Sequence, residues 1–290
     1  MPELPEVEVV KRSLTNKLKN LVIKKIKIND YRLRYPVNIK DIKSLIGLKI
    51  RKISRRSKYL IFFFKNNLAM LVHLGMSGKL FFINQKNINY KTSFYYDLNE
   101  EKDKKYNRVI LTFSDNQKLV YNDVRKFGFI KVFDSDKIHL NSHISRLGPE
   151  PLSDKFNYFY LRKKIVKCKK NIKNFMMDQK YISGLGNIYV NEILFYSSIN
   201  PRKIVNELSN EQVEKIVYNT KKTLKFSIQL GGSSIRDFNG ISGQNGNFQQ
   251  KFMVYDRDNK NCRKKRCEGS VIKIYISNRS TFFCQKCQSI

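Results

Sequence analysis

The chain begins Met-Pro-Glu-Leu-Pro-Glu, and removal of Met1 would make Pro2 a terminal secondary amine with Glu3 beside it. An α-amino group has an unperturbed pKa of about 7.7–8, against about 10.4 for a lysine. A useful neutral fraction therefore exists near pH 7. Such an amine can attack an electrophilic sugar carbon to give an iminium, and a neighbouring carboxyl can move the protons. The same residues also suit an ordinary helix start. Pro5 fits the first helical position, and Val7, Val10, Leu14 and Leu18 follow at helical spacing. Spacing alone leaves both readings open.

A second chemical signal lies at the other end. Cys262-x4-Cys267 and Cys284-x2-Cys287 are separated by 16 residues. Paired cysteines so spaced can place four thiolates tetrahedrally around Zn²⁺, with no open position for catalysis, so one structural zinc is expected. Val271–Ile276 and Ser280–Phe283 read as the two strands of a hairpin between the pairs. Arg279 would sit at or near its turn, either as a solvated residue or as a guanidinium able to clamp phosphates. Cys168 stands apart as a bystander thiol.

Ser183-Gly-Leu-Gly-Asn187 is the third signal. Gly184 and Gly186 permit a tight turn, and Asn187 can cap the helix that follows, a purely structural role or part of a phosphate site. Lys and Arg number 57 against 24 Asp and Glu, a formal net charge of +33. That excess points to a polyanion such as nucleic acid without naming an activity. Apolar runs are short and broken by lysine, and no signal-peptide core opens the chain, so a membrane is not expected. Few cysteines outside the cluster fit a reducing compartment.

These groups need elements to hold them. After the first helix, the segment to about residue 133 reads as β-rich. Tyr59–Phe64, Leu68–His73, Arg108–Phe113, Lys118–Tyr121 and Phe129–Phe133 are short strands with brief turns, as in a sandwich or barrel. The polar stretch 84–105 reads as a surface insertion. Leu147-Gly-Pro-Glu-Pro-Leu152 marks a boundary, beyond which the pattern is helical. Ser209 with Gln212 is a capping-box signature, and Gly231-Gly232 ends the helix it starts. A glycine-rich loop then runs to about residue 247.

Taken together, these elements resemble the formamidopyrimidine-DNA glycosylase family over nearly the whole chain. The resemblance rests on Pro2–Val7, Arg56–Tyr59, His73–Gly78, Asp123–Gly128, Leu147–Leu152, Gly184–Phe195, Gly231–Phe238 and the cysteine hairpin. It implies an α+β multidomain fold with a catalytic N-terminal β-sandwich and flanking helices over 1–146. A helix–two-turn–helix DNA-binding domain with a lesion-recognition loop would span 147–250, and a zinc β-hairpin 251–290, with DNA in the cleft between. It also implies base-excision repair of oxidised purines in duplex DNA, with lyase cleavage at the abasic site. A monomer in the bacterial cytoplasm, associated with the nucleoid, is the corresponding expectation.

Residue by residue, Pro2 resembles the family's nucleophile, Glu3 its proton donor and shuttle, and Glu6 a carboxylate that organises the site. Lys58 resembles the active-site lysine that contacts phosphate and assists proton transfer. Met76, Arg125 and Phe127 resemble the wedge that fills the gap left by a flipped base, with Arg125 hydrogen-bonding the orphaned partner. Asn187 and Arg279 resemble phosphate clamps, Arg279 thereby serving both binding and catalysis. The loop around 240–247 resembles the segment closing over the everted base.

The chain also departs from its family. Four residues rather than two separate Cys262 and Cys267. Tyr106 and Arg108 stand where many members carry histidines, Val124 replaces a proline and Lys126 an arginine, and the insertion is long. Two other readings stay open: an endonuclease VIII-type enzyme for oxidised pyrimidines, and a non-catalytic zinc protein that only reads damage. Leu4 and the Met76/Arg125/Phe127 set weigh against the first. Pro2, Glu3 and Lys58, which binding alone does not require, weigh against the second.

Overall fold

The structure, a computed structural model, describes residues 2–84, 89–91, 104–233 and 248–289. It divides into two compact units, Met1–Ser145 with Gly231–Gly246, and Arg146–Leu230 with Asn247–Ile290. The expected loop at 240–247 and most of the 84–105 insertion lie outside the described residues.

The first unit opens with α1 (Leu4–Leu18). Its stripe of Val7, Val10, Leu14 and Leu18 is buried, and Leu4 rather than Pro5 is the first helical residue. One sheet contains β2 (Ile50–Arg56), β3 (Tyr59–Phe64), β4 (Leu68–His73) and β9 (Phe129–Asp134) in that order. The other has the order β1-β7-β8-β5-β6, formed by β1 (Ile23–Ile28), β5 (Gly78–Ile83), β6 (Asn89–Lys91), β7 (Asn107–Phe113) and β8 (Lys118–Asp123). All of these pairings are antiparallel.

Phe62, Met70 and Val72 of one sheet share a core with Leu80, Val109, Leu119 and Tyr121 of the other. This is a β-sandwich. The strands expected from sequence are all present, joined by β5 and β6 and by the less legible β1 and β2. The last two carry lysines or arginines between buried isoleucines three apart, Ile23 with Ile26 and Ile50 with Ile53. A β-bulge inside each strand absorbs the odd spacing, which is why strict alternation does not mark them.

The second unit is helical: α2 (Tyr158–Ile165), α3 (Ile172–Met177), α4 (Asn187–Tyr196) and α5 (Asn210–Gln229). The start of α5 is the expected capping box. Ser209 Oγ accepts the Gln212 N–H at 3.2 Å, and Gln212 Oε1 accepts the Ser209 N–H at 3.1 Å. Helix α4 is buried from Ile188 to Phe195 and includes a buried carboxylate, Glu192. Burial pushes that carboxyl up. Opposing it, Glu192 accepts the backbone N–H groups of Met253, Val254 and Tyr255 at 2.8–3.0 Å. The hairpin of β10 (Val271–Ile276) and β11 (Arg279–Cys284) turns through Ser277 and Asn278, both at positive φ. Asn191 on α4 accepts the Phe282 N–H at 2.9 Å and so docks β11. No helix among the described residues is long and apolar enough to cross a membrane.

Candidate active site and nucleic-acid interface

The start of α1 is held by a reciprocal pair of carboxylates. The Glu3 side chain accepts the Glu6 backbone N–H, while Glu6 Oε2 accepts the Glu3 N–H at 2.8 Å. Pro2, Glu3 and Glu6 are all buried. The other Glu6 oxygen, Oε1, accepts both the backbone N–H and the hydroxyl of Ser233, at 2.8 and 2.9 Å. With both oxygens engaged, Glu6 organises the helix start. Ser233 has no sequence signal beyond its place after Gly231-Gly232. Gly232, at φ +84°, lies so close that a Cβ there would stand 3.1 Å from Glu6 Oε1.

Lys58 lies in the β2–β3 turn, where Ser57 takes φ +55°, and is 7% exposed. Arg55 connects this turn to α1. Its Nε meets Glu8 Oε2 at 3.0 Å and its Nη1 donates to the Ser57 carbonyl at 2.9 Å. Burial pushes the Glu8 carboxyl up, but hydrogen bonds from Arg12 and Arg55 outweigh it and hold the group below its usual range. The Lys58 turn is thus tied to the helix that bears Pro2 and Glu3.

Met76, Arg125 and Phe127 are exposed on two turns, after β4 and after β8. Asp123, fully buried, joins those turns. Its Oδ1 accepts the Ser77 hydroxyl at 2.5 Å, its Oδ2 accepts the Gly128 N–H at 2.9 Å, and Ser77 Oγ accepts the Arg125 N–H at 2.9 Å. Gly75, at φ +61°, packs directly on the backbone of Phe127 and Gly128, where any Cβ would collide. The Arg125 guanidinium stacks 4.5 Å from the Phe127 ring centroid, a cation–π contact that holds two of the three side chains together. Sequence reasoning did not single out Asp123 and Ser77 as the connection.

His73 ends β4 at the base of the Met76 turn. Its pKa falls to about 4, first through burial and then through the positive charge of Lys58. At neutral pH its Nδ1 is a free acceptor, and it takes the Gly75 N–H at 3.2 Å.

In the second unit, Gly186 rather than Asn187 is the N-cap of α4. Asn187 is the first helical residue, and its amide is drawn away to the hairpin, donating to the Ser280 carbonyl at 2.9 Å. The atom a cap would use, Asn187 Oδ1, takes no hydrogen bond among the described residues, so the expected cap is not formed. The buried Lys173 ammonium donates to the same carbonyl at 2.9 Å and to Thr281 Oγ1 at 2.6 Å. Asn187 is therefore brought beside Arg279, the exposed first residue of β11.

Cys262, Cys267, Cys284 and Cys287 converge, with their sulfurs all within 4.8 Å of one another. Sulfurs of 262 and 287, and of 267 and 284, are 3.8 Å apart. Tetrahedral Zn–S bonds of about 2.3 Å require S···S separations of about 3.8 Å. Backbone N–H groups of Lys264, Gly269 and Cys287 point at three of the sulfurs from 3.4 Å, as suits thiolates. Gly269 leaves room for them, since a Cβ there would stand 2.9 Å from Cys284 Sγ. The four residues can hold a metal ion.

Residues 1–130 match the formamidopyrimidine-DNA glycosylase N-terminal domain, and residues 147–239 match the H2TH (helix–two-turn–helix) domain of the same enzymes. The chain belongs to the formamidopyrimidine-DNA glycosylase family. It is 39% identical to the formamidopyrimidine-DNA glycosylase of Rickettsia bellii over 288 residues, 99% of each chain. With that of Wolbachia pipientis it shares 39% over 291 residues, the full length of both. Among solved structures, a Lactococcus lactis glycosylase mutant in complex with a Fapy-dG-containing DNA superposes with a TM-score of 0.85. The two are 32% identical, with both chains covered completely. Within this family frame, the three-part architecture of sandwich, helix–two-turn–helix domain and cysteine hairpin is the glycosylase fold.

Two outcomes test the frame around α1. Glu6→Gln turns one acceptor into a donor facing N–H groups, so it should cost about 1–3 kcal/mol and speed exchange of the Ser233 amide; hydrogen exchange with urea unfolding measures both. His73 should make the first unit less stable as pH falls from about 6.5, its unfolded value, towards about 4. Unfolded imidazole binds the proton first over that window, and His73→Gln should flatten the slope of stability against pH.

Proposed function

We propose that this glycosylase removes oxidised purines, 8-oxoguanine and formamidopyrimidines, from duplex DNA and then cuts the strand by β,δ-elimination. The observation that carries the reading is the buried, reciprocally bonded carboxylate pair Glu3 and Glu6 at the start of α1, directly after Pro2 in the chain. Related proteins have been solved with DNA containing Fapy-dG, an abasic site and a carbocyclic 8-oxo-G, which supports that substrate class.

In this reading Met1 is removed and the neutral Pro2 amine attacks C1′ of the damaged nucleotide. The N-glycosidic bond breaks and the base leaves with a proton from Glu3. The Pro2 nitrogen then loses its proton, the C1′–O4′ bond opens with O4′ taking a proton from Glu3, and the nitrogen lone pair forms the iminium that joins Pro2 to the ring-opened deoxyribose. Loss of a proton from C2′ expels the 3′ phosphate, and a second elimination expels the 5′ phosphate. Glu3 shuttles protons, and Lys58 holds a phosphate and assists transfer. Met76 and Phe127 fill the gap left by the everted nucleotide, and Arg125 hydrogen-bonds the orphaned base. Everting a nucleotide costs a few kcal/mol, which these contacts offset.

Asn187 and Arg279 clamp the backbone from their shared position at the hairpin. The four cysteines hold one structural Zn²⁺, which orders that hairpin and takes no part in the chemistry. The enzyme works as a monomer at the nucleoid of the bacterial cytoplasm.

Borohydride should trap a covalent protein–DNA complex on duplex carrying one 8-oxoguanine, with peptide mapping placing the link at Pro2, not Lys58. Protein that retains Met1 should neither excise nor trap. Glu3→Gln should bind lesion DNA but fail to release the base, because the amide still accepts the Glu6 N–H yet donates no labile acid proton. Normal trapping by the Met1-retaining protein would exclude the amine as nucleophile.

The metal assignment has its own test. Structural zinc contributes apparent free energies on the order of 10–16 kcal/mol in small peptides. Cys284→Ser should lose stoichiometric zinc and DNA affinity while the sandwich still unfolds cooperatively, as read by metal analysis, DNA titration and circular dichroism. Full zinc content and normal affinity would contradict it.

A further inference from the structure

The structure brings the side chains of Arg108 and Lys126 to the same carboxylate. Asp30 Oδ2 accepts the Lys126 ammonium at 2.6 Å and Arg108 Nη1 at 3.3 Å. Its Oδ1 takes the backbone N–H and Nε of Arg32 at 3.0 and 3.1 Å. Arg108 reaches further, donating from Nε to the Asp123 carbonyl at 2.9 Å. The Arg34 N–H donates to the Gly128 carbonyl at 3.1 Å. Both ends of the 123–128 turn and its middle are therefore fixed by contacts from the segment that follows β1 or from β7.

Lys126 has φ +57°, a left-handed backbone that a lysine adopts only when something holds it there. With its side chain committed to Asp30, its neighbours Arg125 and Phe127 stand exposed, and the guanidinium lies over the ring. We infer that Asp30 is a positioning residue for reading the base opposite the lesion. It holds Lys126 directly and the Asp123 carbonyl through Arg108, and so sets where Arg125 meets the orphaned base. The inference rests on the wedge role proposed above for Arg125.

The arrangement is permanent rather than switchable. Hydrogen bonds from Lys126, then from Arg32, hold the Asp30 carboxyl far below the usual carboxylate range, so it stays ionised wherever the enzyme works. A lysine neutralised at 2.6 Å is also a poor phosphate ligand, which separates Lys126 from the arginine it replaces.

The test has two arms. In the free protein, the Arg125 and Gly128 amides are bonded to Ser77 and Asp123. Their hydrogen exchange should accelerate about tenfold in Asp30→Asn and in Lys126→Gln, and return towards wild type in Asp30→Glu. Unchanged exchange in Asp30→Asn would overturn the inference. In the second arm, single-turnover excision is compared on 8-oxoguanine opposite cytosine and opposite adenine. Asp30→Asn and Arg125→Ala should each compress the rate ratio, by about tenfold, and the double variant should compress it no further. Additive effects, or a uniform loss of DNA affinity with the ratio intact, would make Asp30 an ordinary charge near the backbone and overturn the assignment. If the wild-type protein excises neither substrate, the proposed function fails, and the exchange arm still decides whether Asp30 positions the turn.

Discussion

Once Met1 is removed, the Pro2 amine proposed above as the nucleophile is tethered from one side only. Everything that fixes the Pro2 nitrogen must therefore come from the residues just after it, and the exchange of hydrogen bonds between Glu3 and Glu6 is that restraint. A capping box ordinarily satisfies orphaned N–H groups at a helix start. Here both carboxylates are also buried, directly after Pro2 in the chain. The buried stripe of α1 then transmits the rigidity of the sandwich core to this end. Arg55 extends the same frame to Lys58 through Glu8.

The second unit solves a related problem with polar pegs. The hairpin of two six-residue strands docks through a small apolar cluster, in which Val271 and Phe282 pack with Phe195 and Val254, and through polar contacts beside it. Asn191 and Lys173 reach it from α4 and α3, and each meets a backbone group or hydroxyl of β11. Glu192, one residue further along α4, gathers three successive N–H groups of the approach to the hairpin. Such fully partnered buried polar groups specify one orientation, whereas apolar contacts alone would allow several. Asn187 and Arg279 inherit their proximity from that docking.

What was legible in the sequence was local. The Ser209–Gln212 cap, the strands Tyr59–Phe64 and Leu68–His73, and the cysteine pairs depend on near neighbours, and the structure places them where their spacing does. Ser233 was not legible, because its partner Glu6 lies 227 residues away. Nor was the role of Asp123, whose bonds to Ser77 span 46 residues. Asn187 does not cap because it takes the first helical position, with Gly186 before it as N-cap, while its Nδ2 donates to a carbonyl on Ser280, 93 residues away. Strands β1 and β2 escaped because bulges break their alternation. The candidate catalytic residues could be named from sequence. The groups that hold them could not, since a positioning contact leaves no periodic trace.

Charge connects these observations. With 24 acidic residues against 57 basic ones, each carboxylate withdrawn into the fold widens the imbalance at the surface. Glu3, Glu6, Asp123 and Glu192 are buried, and Glu8 and Asp30 are engaged by arginines and lysines. The acids that shape the site are thus the ones least able to screen the exposed cations. The resulting positive field accelerates encounter with a polyanion and binds it without regard to sequence. Discrimination must then come from side chains held in fixed places, and Asp123, through Ser77 and the Gly128 N–H, fixes the turn that carries Arg125 and Phe127. The buried carboxylates thus have two effects at once: they hold the turns in place, and their withdrawal leaves the surface cations unscreened.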